Sequence, residues 1–288
     1  MSDLSKIEFM ILVRAYLSGC TEHPRTATAT RLSALLGFGR IRGRKWIVEQ
    51  SDRRRIHDYL VSFGLRDLQN PAITFRDMTR IETAYQIPEE KFAGRKPREG
   101  RVLVRSVDRH VKLNGATSYL FDDAAIDLPA ANIRSIDHDC VLGIENFEAF
   151  NGFETLDIRD FPFRDPLLVY RGDAINFPDA SKRLFENAMV PVVAFTDMDP
   201  HGLNIAASIP NVIGAIFPAD LKGLNRANLF ADQRAFLGPR DKYPVPWHVL
   251  IEHMEAARKC MTQEHMFAHR IPFQFLPVQE DSVCLPVA

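Results

Sequence analysis

From about residue 137 the chain repeats one pattern: a short apolar run that closes on a charged residue, a glycine or a proline, followed by polar and apolar residues at helical spacing. The runs are "CVLGIE" at 140–145, "LLVYRG" at 167–172, "VPVVAFTDMD" at 190–199 and "VIGAIFP" at 212–218. "INFPDASKRLFENAM" and "GLNIAASI" separate them with helical periodicity. Strands without polar alternation must be covered on both faces, and strands alternating with helices predict a parallel sheet in an α/β fold. Functional groups in such sheets collect at the carboxyl ends of the strands. Glu145, Gly172, Asp197 and Asp199 all fall there.

The third run ends on two aspartates one residue apart and turns at once through Pro-His-Gly. Side chains two apart on a strand face the same side, so Asp197 and Asp199 present their oxygens to one space. Neighbouring strands lie about 4.8 Å apart, which brings Glu145 within reach if its strand is adjacent. Three carboxylates gathered this way repel one another and raise their own pKa values, a conflict that a divalent cation removes. Hard oxygen donors with open positions suit Mg2+, or Mn2+, held together with waters and substrate phosphates. The chemistry served is attack on a phosphodiester. An aspartate after a strand is also an ordinary helix cap, and His201 an ordinary helix-start residue, so a lone DxD leaves both readings open. Gly172 and Gly202 are places for close backbone approach or tight turns.

The amino-terminal part has a different character. Residues 1–115 carry 22 Lys+Arg against 13 Asp+Glu, whereas 116–288 carry 14 against 24, within a chain of net charge −1. A basic half joined to an acidic half points to one part that meets a polyanion. Helices are expected over 3–18, 26–36 and "DRRRIHDYLVSF" at 52–63. The second and third are separated by the basic turn "GFGRIRGRKW". Three short helices with a basic turn resemble a helix-turn-helix or winged-helix module. Arg40, Arg42, Arg44, Lys45, Arg53, Arg54 and Arg55 are then the candidate contacts to double-stranded DNA. The Pro-, Gly- and charge-rich stretch 86–101 reads as a linker, followed by strand-like segments around an Asn-Gly turn at 114–115. The expected organisation is a basic helical module over 1–85, linker and short strands over 86–136, an α/β domain over 137–270 and a tail over 271–288. The last domain would end on a long amphipathic helix at 247–268, and the apolar, proline-punctuated tail reads as a docking arm or dimer contact.

"GIEN", "YRGD" and "TDMDPHGLNI", in that order, resemble the Toprim domain of topoisomerases, primases and several nucleases. The likeness covers roughly residues 137–220. It is closest to the topoisomerase VI A subunit and to the nuclease subunit of Wadjet-type plasmid-defence systems. The resemblance implies a Rossmann-like parallel sheet preceded by a mainly helical, winged-helix-like domain. It implies a catalytic set of Glu145, Asp197, Asp199 and His201, with the three acids as metal ligands and Asn146 beside them. The implied activity is Mg2+-dependent DNA endonuclease action by a cytoplasmic homodimer, partnered in the Wadjet case by a condensin-like SMC ATPase complex. Topoisomerase VI-like enzymes use a tyrosine nucleophile instead. Of Tyr16, Tyr59, Tyr85 and Tyr119, Tyr59 is the best placed, yet none sits in the family's paired-aromatic setting.

Other chemistries find little support. No apolar run approaches the roughly 18–20 residues of a membrane span, and charges interrupt the first segment, so no signal peptide is expected. Cys20, Cys140, Cys260 and Cys284 are scattered without a CxxC pair, as in a chain with reduced thiols. "GFGRIRGRK" lacks the Gly-Lys-Ser/Thr ending of a P-loop, and no GxSxG occurs. His265 and His269 stand four apart, as zinc ligands do on a helix, without an evident third ligand.

Overall fold

In the computed structural model, which describes residues 4–65, 75, 77–172 and 178–279, local signals start most of the early helices. The fold is mixed α/β, and the chain divides into two units, Met1–Pro97 and Arg98–Ala288.

The first unit begins with α1 (Lys6–Leu17), opened by a capping box in which Ser5 and Glu8 satisfy each other's backbone donors. β1 (Glu22–Pro24) leads into α2 (Ala27–Leu36), capped by the Thr26 hydroxyl and ended by Gly37 in the left-handed region. β2 (Arg40–Arg42) and β3 (Lys45–Ile47) form a hairpin, and β1 pairs on the other side of β3. α3 (Gln50–Ser62) and α4 (Arg80–Gln86) follow. The basic turn of the sequence is thus a β-hairpin between the second and third helices. Phe9 anchors the core, with ring centroids 5.1, 5.8 and 5.4 Å from Phe63, Phe75 and Phe92. Trp46, also buried, donates its indole N–H to the Phe38 carbonyl at 2.8 Å.

The second unit is built on an eight-stranded mixed sheet. β4 (Arg101–Ser106) is followed by the hairpin β5 (His110–Leu113) and β6 (Ala116–Tyr119), then by β7 (Ile126–Pro129). Asn114 and Gly115 turn the hairpin with φ of +56° and +72°, the backbone a type I′ turn requires. Next come β8 (Cys140–Ile144), α5 (Phe147–Asn151), β9 (Ile158–Arg159), β10 (Pro166–Tyr170) and α6 (Pro178–Asn187). The remainder is β11 (Val192–Phe195), α7 (Pro200–Ser208), β12 (Val212–Pro218), α8 (Ala227–Gln233), α9 (His248–Ala257), α10 (Gln263–Ala268) and β13 (Phe273–Pro277).

The sheet order is β7-β4-β10-β8-β11-β12-β13-β9. β10, β8, β11 and β12 run parallel, with β4 and β13 antiparallel on the flanks. Every residue of β8, β10 and β11 is buried, which accounts for their unbroken apolar character. Segment 86–136, expected as linker and short strands, supplies two strands of this sheet. The expected tail supplies β13, while residues 280–288 lie outside those described. The helix expected over 247–268 is two. Arg258 adopts φ +51° and ends α9, so the chain peels away before α10 begins.

Candidate active site

The order of the parallel strands positions the site. From β8 the chain passes through α5 and the edge strand β9 before it enters β10, on one side of β8. From β11 it continues to β12 on the other side. β8 and β11 are therefore adjacent strands whose successors among the parallel strands, β10 and β12, lie on opposite sides, the switch point beyond whose carboxyl ends such sheets form a crevice. Register places Ile144 level with Tyr170 on one neighbour and Phe195 on the other. The residues just past these, Glu145, Arg171 and Thr196, share that edge, with Asp197 one step further.

Glu145 and Asp197 come together: the Asp197 N–H donates to Glu145 Oε2 at 3.3 Å. Burial raises the Glu145 carboxyl above its ordinary range. The Asp197 N–H and the nearby Arg171 hold that rise back, while Asp199 adds to it. Asp197 is pushed up to about 8, first by burial and then by Glu145, with Asp199 and Glu264 contributing. Its Oδ1 accepts from the Gln263 N–H at 2.7 Å. Asp199 is 2% exposed, and its Oδ1 caps α7 by accepting from the Gly202 N–H at 2.6 Å. The helix-cap reading of the DxD therefore holds for one oxygen of Asp199, whose charge still acts on both other acids.

Gly202 explains the abrupt turn after the aspartates. A Cβ there would sit 2.1 Å from the Asp197 carbonyl oxygen, so α7 can lie against that backbone only with glycine at this position. Pro200 fits the first turn, where no backbone donor is needed. His201 is exposed; its N–H donates to Gln233 Oε1 at 3.1 Å and its ring stands edge-on to Phe236 at 5.4 Å. Asn146 caps α5 through its Oδ1 and donates from Nδ2 to Glu264 Oε1 at 2.6 Å.

The break between α9 and α10 serves this same region. Met198 and Met261 exchange backbone hydrogen bonds, both at 2.9 Å, which satisfies the peptide between the two aspartates. The fully buried Gln263 accepts the Asn146 N–H at 3.0 Å through Oε1. Gln263 and Glu264 are thus parts of the site that periodicity concealed. "TQE" at 262–264, a threonine at the position before the helix and an acid in its first turn, was the available signal for a new helix start, although the Thr262 side chain makes no capping bond.

The donors are hard oxygens, and a carboxylate near 8 beside a second acid fits a site that gains from a cation. Among the described residues no three His, Cys, Asp or Glu side chains form a ready-made metal cage.

The basic residues of the first unit do not act alike. Arg40 pairs with Glu49 at 2.6 Å and Lys45 pairs with Glu22. Arg55 donates to the Gly37 carbonyl at 2.8 Å, closing the end of α2, and stands over the Phe38 ring at 5.7 Å. Arg53 is half-buried, while Arg42, Arg44 and Arg54 are exposed. Tyr59 packs edge-on to Phe38 at 5.4 Å. His265 and His269 lie ring against ring at 4.1 Å.

The chain belongs to the family described as Domain of unknown function (DUF7281), whose match spans residues 99–275. Every acid of the site lies inside that span, and the first unit lies outside it. No curated protein matches the chain. No helix among the described residues is long and apolar enough to cross a membrane.

Proposed function

We propose that the chain is a divalent-metal-dependent DNA endonuclease of Toprim type. In this reading the second unit hydrolyses phosphodiesters and the basic, winged-helix-like first unit holds the duplex. The observation that carries the reading is Asp197, held near 8 by burial and by Glu145 in the crevice between two strand ends. Leaving two half-buried acids to raise one another costs stability, and a cation drawn to them offsets that cost.

Glu145, Asp197 and Asp199 would hold Mg2+ or Mn2+, which when bound supplies Lewis-acid polarisation of a phosphoryl oxygen and a more acidic water. Gln263 and Gly202 fix one oxygen each of Asp197 and Asp199, so both carboxylates are oriented before any ligand arrives. The high proton affinity of Glu145 suits it to receive the proton of the attacking water. Exposed His201 contacts phosphate, and Arg171 offsets the acids at the same edge. Tyr59, packed on Phe38, makes hydrolysis the preferred reading over transesterification through tyrosine. Duplex cleavage calls for two copies, so we assign a homodimer, and a condensin-like SMC ATPase is the partner class that the Wadjet resemblance implies.

The test is plasmid cleavage with Mg2+, Mn2+ or EDTA. Wild type should nick only with metal, and Asp197→Asn and Glu145→Gln should lose nicking. Full activity in both variants would remove the proposal.

A further inference from the structure

The residues with the strongest sequence claim to DNA are largely engaged within the protein: Arg55 caps α2, Arg40 and Lys45 are paired with acids, and Arg53 is half-buried. Another basic surface lies along α2 and takes only Arg44 from that set. There an open groove of about 850 Å3 runs between the start of that helix and the tip of the β2–β3 hairpin. Arg25, Arg31 and Arg44 all line it, together with Thr30 and Gly43.

Two of the three arginines are held by side-chain contacts. Arg25 donates from Nε to Thr30 Oγ1 and from Nη1 to the Gly43 carbonyl, each at 3.4 Å, and its backbone N–H bonds the Arg44 carbonyl at 3.0 Å. Arg31 is held by Glu8 at 3.1 Å; the acid is 5% exposed and the arginine 60%. Arg44 sits exposed on the two-residue turn of the hairpin. The acids on the adjoining elements are committed, Glu8 to Arg31 and Glu22 to Lys45. Each guanidinium carries five N–H donors, so those left after these contacts face a groove with no acid among its lining residues. Pre-positioned forks of this kind match phosphate oxygens, and they lose less conformational freedom on binding than free side chains do.

We infer that the groove formed by Arg25, Arg31 and Arg44 is the track for the phosphate backbone of a duplex, and that Arg55 of α3 builds the module. The inference rests on the DNA-binding part of the proposed function. It favours nucleic acid over an acidic protein because three arginines and two threonine hydroxyls are set among small residues along an open groove, which suits repeated phosphate contacts more than a folded surface.

The test uses the full chain and a fluorescein-labelled duplex, with affinity followed by anisotropy from about 50 to 200 mM salt. Arg25→Gln/Arg44→Gln leaves the Glu8–Arg31 pair intact and protects the fold; circular dichroism melting checks this. The double variant should bind at least tenfold more weakly, with the slope of log K against log salt reduced by about 2, close to one unit per lost phosphate contact. Arg54→Gln should leave the slope within experimental scatter. An unchanged slope in the double variant, with wild type binding normally, overturns the groove while the nuclease reading stands. Loss of poly-glutamate binding in the double variant, with duplex binding untouched, assigns the groove to an acidic protein and also overturns it. Failure of wild type to bind duplex at any salt removes both this inference and the DNA-binding part of the reading, and metal-dependent nicking by Asp197→Asn against wild type then tells whether the chemistry survives.

Discussion

The two units treat charge in opposite ways. In the first unit, cations lie at the surface or against a carboxylate: Arg40, Lys45 and Arg31 each pair with a glutamate, and Arg55 serves a helix end. Apart from Glu8, the buried partner of Arg31, such charges keep most of their water, and pairs between exposed partners are worth little. In the second unit, Glu145, Asp197 and Asp199 are drawn into the crevice at the sheet edge, and Asp197 rises to about 8 as a result. Burial of like charges is costly, whereas exposed basic residues are ordinary. The acidic cluster is therefore the stronger indication of function. The arginine count of the first unit says less than the question of which arginines are free.

The largest expected effect comes from removing an acid. Asp197→Asn should lower metal-dependent cleavage by more than about a hundredfold, the loss of several kcal/mol of charge stabilisation, while duplex binding persists. Asp199 separates its two roles by choice of substitution. Asn keeps a capping oxygen for α7 and loses metal, whereas Ala also costs about 1 kcal/mol of stability, read by denaturant titration. If Asn and Ala at 199 match wild type in cleavage, Asp199 is a cap alone.

Gly202→Ala is next. With the Asp197 carbonyl 2.1 Å from the new methyl group, the loop or the helix must move, so a loss of about 3 kcal/mol or more is expected in urea unfolding. A wild-type midpoint would mean that α7 does not lie on the aspartate backbone.

The pH dependence of the metal-free protein follows from the sign of the Asp197 shift. Its folded pKa, about 8, lies above the unfolded value of about 3.9. The folded state holds the extra proton between those limits. Stability from this group is thus complete below about pH 4 and is lost as pH rises through about 8. Metal-free Asp197→Asn should melt higher than wild type at pH 8, and added Mg2+ should raise the wild-type melting temperature more at pH 8 than at pH 6. Parallel melting curves for the two proteins across this range would contradict the assignment.

The smallest effects sharpen the contrast within the first unit. Arg55→Ala should cost about 1 kcal/mol through the lost bond to the Gly37 carbonyl, and Arg54→Ala close to nothing. Equal effects would mean that the helix-end contact contributes no stability.

How much of this was legible in the sequence depends on whether the signal was local. Strands such as Val192–Phe195 declare themselves because burial on both faces leaves them wholly apolar, and the acids at their ends can then be read off. The Asn114–Gly115 hairpin is equally plain, since its turn needs two left-handed residues. What could not be read were pairings between distant segments. Periodicity across 247–268 runs on smoothly, yet the chain breaks at Arg258 because the peptides around Met198 need partners, which Met261 supplies. That break delivers Gln263 and Glu264 to the acids. Likewise, nothing about Arg55 in isolation distinguishes it from Arg54; the difference is the end of α2 lying beside it. The strand character of Arg101–Ser106 was legible too, but its place in the main sheet was not, because its partners are the distant β10 and the short β7.

The central claim is that the side chains of Glu145, Asp197 and Asp199 bind a divalent cation together. It is tested most directly by titrating Mn2+ into the full chain and following free ion by electron paramagnetic resonance, for wild type and for Asp197→Asn. Wild type should bind Mn2+ saturably, Mg2+ should displace it, and the variant should lose this binding. Equal uptake by both proteins, or none by wild type at millimolar ion, would contradict it.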